Sequence, residues 1–287
     1  MKIYRPFIAI LILLLMTIGA DAKKKMQEYP RAEIKVSYNY HEKFMRGNVE
    51  YAEHDVPMLL LANSTQSKFY SPHTEYKDSL ESTSSGRAMS DKILTQAVKH
   101  ALATGDQSLV DNFAYKTRMY VFKNYPDSVL TVFDSYMFEQ DFHMEPFSEI
   151  EWSIVEDSTK SVLGYECRMA TAKYHGRRWT AWFAPEIPVC DGPWKLRGLP
   201  GLILEATEEK GHHSFIADGI ETSDQPIRPV YDSSKYEKME RINMLRSLRH
   251  YRDNKLSIAK ASTDGMFDLG TDAPPQKEYD FLETDYR

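Results

Sequence analysis

The chain has 287 residues, a formal net charge of −6 and two cysteines. That length suits one sizeable domain or two small ones. A mildly acidic balance gives no electrostatic reason to bind nucleic acid.

At the N-terminus Lys2 and Arg5 precede an uncharged apolar run over residues 7–18, followed by Ala20-Asp21-Ala22. The run is shorter than the roughly 20 residues a membrane span needs, and Ala20-x-Ala22 fits the small-residue cleavage rule. The pattern predicts a signal peptide over 1–22, cleaved near Ala22, and a periplasmic or secreted mature chain. Losing Lys2, Arg5 and Asp21 with that leader takes the net charge to −7. No later segment is long and apolar enough to cross a membrane as a helix. Lys23, Lys24 and Lys25 read as a solvated new N-terminus. In an oxidising compartment Cys167 and Cys190 either form one bridge or remain separate thiols, since spacing alone does not place their Cα atoms within bonding distance.

Most of the mature chain reads as short strands. Ala32, Ile34, Val36, Tyr38 and Tyr40 alternate with polar residues, the period of a strand with one dry and one wet face. Further strands are expected over 58–62, 68–71, 115–122, 129–133, 136–138, 150–155, 165–172, 178–183, 202–207 and 213–216. Tyr174-His175-Gly176 is a hairpin turn. Two stretches have helical spacing instead. Over 90–104, Ile93, Leu94, Ala97, Val98, Ala101 and Leu102 share a face, with Ser90 as cap and Gly105 as stop. Over 233–252, Tyr236, Met239, Ile242, Leu245 and Leu248 form a second stripe, with Ser234 and Glu237 as a capping box. Both stripes read as core laid on a sheet. Residues 75–85 are polar and predict a mobile loop; the acidic tail 264–287 predicts an extended or disordered end. The expected fold is therefore mainly β (α+β). It is one domain over 23–263, built as a single curved antiparallel sheet or half-barrel with about two helices packed against it.

The densest block runs Gly192-Pro193-Trp194-Lys195-Leu196-Arg197-Gly198-Leu199-Pro200-Gly201-Leu202-Ile203-Leu204-Glu205. Pro200 and Gly201 suit the centre of a type II turn, so the block reads as a double bend feeding a buried strand, or as a backbone pocket for a ligand. No Gly-x-Gly-x-x-Gly or Walker pattern supports phosphate binding. Gly198-Leu199-Pro200-Gly201-Leu202-Ile203 resembles the signature of the GLPGLI family of Bacteroidetes envelope proteins. Ser67-Lys68-Phe69-Tyr70-Ser71, Asp157-Ser158-Thr159-Lys160, Gly164-Tyr165-Glu166-Cys167, Gly176-Arg177-Arg178-Trp179-Thr180-Ala181-Trp182 and Ile187-Pro188 are similar to that family's other motifs, in the same order. Cys190 departs from the pattern, which puts the bridge in doubt. The resemblance implies a secreted or periplasmic protein without an assigned activity. By fold analogy it implies a lipoprotein-carrier-like sheet with an apolar hollow.

The residues offer no catalytic set. There is no Gly-x-Ser-x-Gly elbow, no His-Glu-x-x-His and no Cys-x-x-Cys. Cys167 sits mid-strand. His212 and His213 are adjacent and so point to opposite strand faces. Glu149 and Glu151 share a strand face but read as edge charge. Trp152, Trp179, Trp182 and Trp194 cluster near the double bend and either line a pocket or pack the core. The candidate ligand residues are Trp179, Trp182, Trp194, Lys195, Pro200 and Gly201; no catalytic residue, metal or cofactor is expected. The sequence points to a non-enzymatic envelope protein that binds an apolar ligand or an outer-membrane partner. A periplasmic hydrolase or metal-dependent enzyme is the alternative.

Overall fold

A computed structural model describes residues 28–46, 49–136, 139–254, 257–258 and 280–286. The expected signal peptide and most of the expected tail lie outside them. Strand β1 (Ile34–Arg46) pairs antiparallel with β2 (Val49–Ala62), setting Val36 opposite Leu60, Tyr38 opposite Met58 and Tyr40 opposite Val56. The period-two pattern thus puts all six side chains on one face, where each is buried. The meander continues through β3 (Gln66–Tyr70), β4 (Tyr120–Asn124), β5 (Val129–Tyr136) and β6 (Glu139–Pro146). A second meander runs through β7 (Ser153–Val162), β8 (Tyr165–Tyr174), β9 (Arg177–Ala184), β10 (Leu202–Glu208) and β11 (His213–Thr222). Pairing of β11 with β1 fuses the two into one open sheet. A twelfth strand, β12 (Glu237–Lys238), adds to β6 in parallel. The two-residue turns Leu163-Gly164 and His175-Gly176 have positive φ at both positions, the conformation that matches hairpin twist.

The helices depart from expectation. Residues 75–85 are not a loop: α1 (Pro72–Glu81) starts on a proline at its first turn, and α2 (Ser84–Thr104) follows at once. Helix α2 begins six residues before Ser90, because Thr83 accepts the Gly86 N–H at 3.0 Å and caps it. Gly105 ends it in the left-handed conformation, as its position in the sequence predicts. A short α3 (Ser108–Phe113) comes next. Helix α2 packs on its helical neighbours through Gly86, Ser90, Ala97 and Ala101, not on the sheet through its larger residues. Leu94, Val98 and Leu102 are 43%, 41% and 83% exposed.

The last helix, α4, spans only Arg241–Asp253. Ser233–Lys235 form a 3₁₀ turn and Glu237–Lys238 are drawn into β12, so the capping box at Ser234 and Glu237 does not form. Met244, Leu245 and Leu248 are buried, whereas Tyr236 packs apart from them, in a cluster with Tyr70, Tyr120 and Ile227. The tail also folds back in part: Phe281, Glu283 and Tyr286 are buried. Their docking is the work of ion pairs, which a composition-based reading of an acidic tail does not anticipate.

Candidate functional site

The double bend fills the core face of the sheet. Pro193 C=O accepts from Leu196 N–H at 3.1 Å, and Trp194 within that turn has φ 52°, an uncommon conformation for a bulky residue. The second bend closes through Gly201 N–H to Leu199 C=O at 2.8 Å, a tighter closure than the type II turn expected. A side chain at Gly201 has no room, since an added Cβ falls 2.3 Å from the Ala184 carbonyl oxygen at φ 149°. At Gly192 the added atom meets Ile203 Cβ at 2.7 Å.

Beneath the bend, Lys123 reaches from β4 to the Asp191 carboxylate and donates to the Gly192 carbonyl at 2.7 Å. Both ions are almost fully buried. Burial pulls the Lys123 ammonium down from its ordinary value, with the Asp191 charge and hydrogen bond acting the other way. Tyr38 donates to the Ile203 carbonyl at 2.6 Å. The chain thus uses buried polar groups of the sheet to hold its own loop backbone.

Of the six candidate ligand residues, the structure brings three together. Trp179 and Trp194 are buried with ring centroids 5.5 Å apart, and Lys195 follows directly from Trp194. Trp182, half-buried, is placed apart from them, with the Lys160 ammonium 4.5 Å above its ring. Pro200 is exposed and Gly201 buried. Trp152 donates to the Arg197 carbonyl at 2.9 Å. Cys167 and Cys190 are free thiols, one buried and one exposed, so the bridged alternative is corrected. Burial pushes the Cys167 thiol up to about 11, an unreactive state. Glu149 and Glu151 precede β7 instead of sharing a strand face.

Lys195 enters a buried ionic network that the sequence did not disclose. Its Nζ lies 2.5 Å from Glu145 and 2.7 Å from Glu283. Arg241 Nη2 lies 2.6 Å from Glu283, contacts Asp285, and donates to His175 Nδ1 at 2.8 Å. The same nitrogen lies 3.2 Å from Asp285 Oδ2, so it stands between the guanidinium and a carboxylate. Burial is the main cause lowering the His175 value, opposed chiefly by Glu283. Burial alone would raise the Glu145 carboxyl. The His143 hydrogen bond and the Lys195 charge outweigh it and hold Glu145 well below the carboxylate range. Metal-ligating atoms of His175, Glu283 and Asp285 lie within 4.8 Å of one another, but the Arg241 guanidinium already stands among them as the cation. His212 and His213 do not converge: His212 meets Asp280 at 2.7 Å, and buried His213 meets Tyr40 at 2.8 Å.

A family model described as "Protein of unknown function (Porph_ging)" matches residues 175–205, from the His175 turn through the double bend. That stretch carries the GLPGLI-like signature, and the matched family likewise has no assigned function. No curated protein matches the chain. Two solved structures of PNGF-II, in P21 and C2 space groups, are similar at 12% identity, with TM-scores of 0.47 and 0.46. Each match covers 76% of this chain but only 33% of the other, so the chain spans about a third of their length.

A further opening lies elsewhere. A cleft of about 730 Å³ is bordered by Leu94 of α2, Phe113 of α3, Arg118, Glu42 of β1, Asp134 of β5 and Arg252 of α4. Burial raises both the Glu42 and the Asp134 carboxyls, with the Arg252 charge opposing in each case. The Tyr115 ring is flanked by the Lys77 ammonium at 3.9 Å and the Arg118 guanidinium at 4.0 Å. None of these residues belongs to a motif; only topology assembles them.

Proposed function

We propose that this chain is an exported, non-enzymatic binding protein whose ligand sits in the cleft beside the helices, not within the core face of the sheet. One observation carries the reading: the cleft is lined by apolar Leu94, Phe113 and Leu248 together with charged Glu42, Asp134 and Arg252. That combination fits a ligand with an apolar body and a polar or charged head. The core face is a poor host, since Trp179, Trp194, Leu199 and Leu202 already fill it. Native mass spectrometry and thermal shift on the mature chain, with a panel of cationic, anionic and neutral amphiphiles, test this. Binding that Arg252→Ala or Asp134→Asn weakens at least tenfold supports it; binding indifferent to both sinks it. N-terminal sequencing of the exported protein tests cleavage near Ala22.

A periplasmic hydrolase is the second reading, favoured by the two raised carboxyls sharing one cleft. Reproducible turnover in a broad hydrolase screen, abolished by Glu42→Gln or Asp134→Asn, would displace the binding reading.

A further inference from the structure

Residues 280–286 are held as a ligand is held. Arg177 Nε donates to the carbonyls of Phe281 at 3.0 Å and Leu282 at 3.1 Å. Thr284 donates its N–H to the His175 carbonyl and its hydroxyl to the Gly176 carbonyl, both at 3.0 Å. Asp280 meets Arg177 at 2.7 Å and His212 at 2.7 Å. Glu283 bridges Lys195 and Arg241, and Asp285 meets Arg241. Phe281 and Leu282 line a cavity of about 90 Å³ together with Trp194, Leu245 and Leu248. Gly176 makes the approach possible, because an added Cβ would lie 2.3 Å from the Thr284 hydroxyl.

Consider the groove without this segment. Lys195 and Arg241 would face Glu145 alone, leaving one buried cation in excess. Arg177 would keep Glu208 but lose its carbonyl partners. A buried charge without a counter-charge is costly, so the groove requires an anion. It also requires a backbone: a fatty acid would satisfy the charge and the apolar wall yet leave the Arg177 Nε and the His175 carbonyl without the partners that residues 281–284 supply.

We propose that the groove formed by Arg177, the His175-Gly176 turn, Lys195 and Arg241 is a peptide-binding site. Residues 280–286 fill it in cis as a tethered ligand. In trans it takes an acidic segment of another protein with the pattern Asp-aromatic-aliphatic-Glu-x-Asp. The cavity behind Phe281 and Leu282 shares Glu42, Asp134, Leu248 and Arg252 with the amphiphile cleft, whereas the ion pairs and backbone hydrogen bonds that hold residues 280–286 run through Arg177, the His175-Gly176 turn, Lys195 and Arg241. A tethered occupant raises the apparent dissociation constant of any free competitor by the reciprocal of the fraction of time the groove is open.

The probe is a fluorescein-labelled peptide of residues 280–286, followed by anisotropy on the full chain. Wild-type protein should bind it weakly. Phe281→Ala/Glu283→Gln, which loosens the cis segment, should bind the wild-type probe at least tenfold more tightly. A probe carrying Glu283→Gln or Phe281→Ala should lose at least tenfold on that variant. Should the double variant fail to fold, Asp280→Asn/Asp285→Asn replaces it, with the same tightening expected. A variant with unchanged circular dichroism and melting that binds the probe no better than wild type overturns the proposal. So does displacement of the probe by decanoate as effective as by unlabelled peptide, or a strap-exchanged dimer that ignores free probe.

Discussion

Two regions of the same chain cover the sheet in opposite ways. The double bend over residues 191–204 is pressed into the core face, with Leu196, Leu202, Ile203 and Leu204 at 0% exposure. The α2 helix stays outside it, with Leu94, Val98 and Leu102 in solvent and an open cleft alongside. The bend is made of residues that fit one arrangement, two glycines without room for a Cβ and a left-handed tryptophan, and a buried lysine of β4 holds its backbone. A close-packed interior transmits any misfit, whereas Leu94, Val98 and Leu102 leave the outer face of α2 partly in solvent. The open cleft lies on the second side, and the matched family segment, 175–205, falls on the first.

Substitutions sharpen that contrast. Gly201→Ala combines left-handed backbone with a backbone clash, and should cost about 3 kcal/mol or more, or prevent folding, in urea denaturation. Gly198→Ala, also left-handed but with nothing within 4 Å of the new Cβ, should cost only about 1 kcal/mol. Equal losses at the two positions would remove the case for a tightly packed bend. Lys123→Met leaves the Asp191 charge buried and should cost about 3–5 kcal/mol; Lys123→Met/Asp191→Leu should recover part of it.

Acid should act through the packed side as well. Burial, reinforced by the Arg177 charge, pushes the His213 imidazole down to about 3 from an ordinary 6.5. Between those values the unfolded chain binds a proton that the folded chain refuses, so stability falls as pH drops from about 6.5 toward 3 and is flat above. Burial alone would raise the Asp280 carboxyl, but the Arg177 and His212 interactions outweigh it and hold the group at about 2, so its contribution is lost only as pH falls from the ordinary 3.8 toward that value. The urea midpoint should be lower at pH 5 than at pH 7.5, and His213→Gln should shrink that difference. A midpoint that rises on acidification would contradict the neutral, buried His213. The smallest effect belongs to the open side: Leu102→Lys should change stability by less than about 0.5 kcal/mol in the same assay.

Several features were plain in the residue order. The alternation through Val36, Tyr38 and Tyr40 gave the sheet, the His175-Gly176 pair gave its hairpin, and Gly105 gave the end of α2. The block around Trp194 and Lys195 stands out in the residue order as unusual. The network around Lys195 was not legible, because Glu145, Arg241 and Glu283 are separated by long stretches of sequence and each reads alone as surface charge. Lys123 was hidden for a similar reason: one lysine in an alternating strand is ordinarily wet, and only the Asp191 loop across the face keeps it dry.

Local periodicity and turn chemistry act over a few residues, so the sequence by itself determined the strands, most of their turns and the unusual bend. Burial of charge depends on which distant partners arrive together. Only the tertiary structure decided that residues 280–286 become a clasped segment, that Trp179 and Trp194 become core, and that the open cleft lies beside the helices.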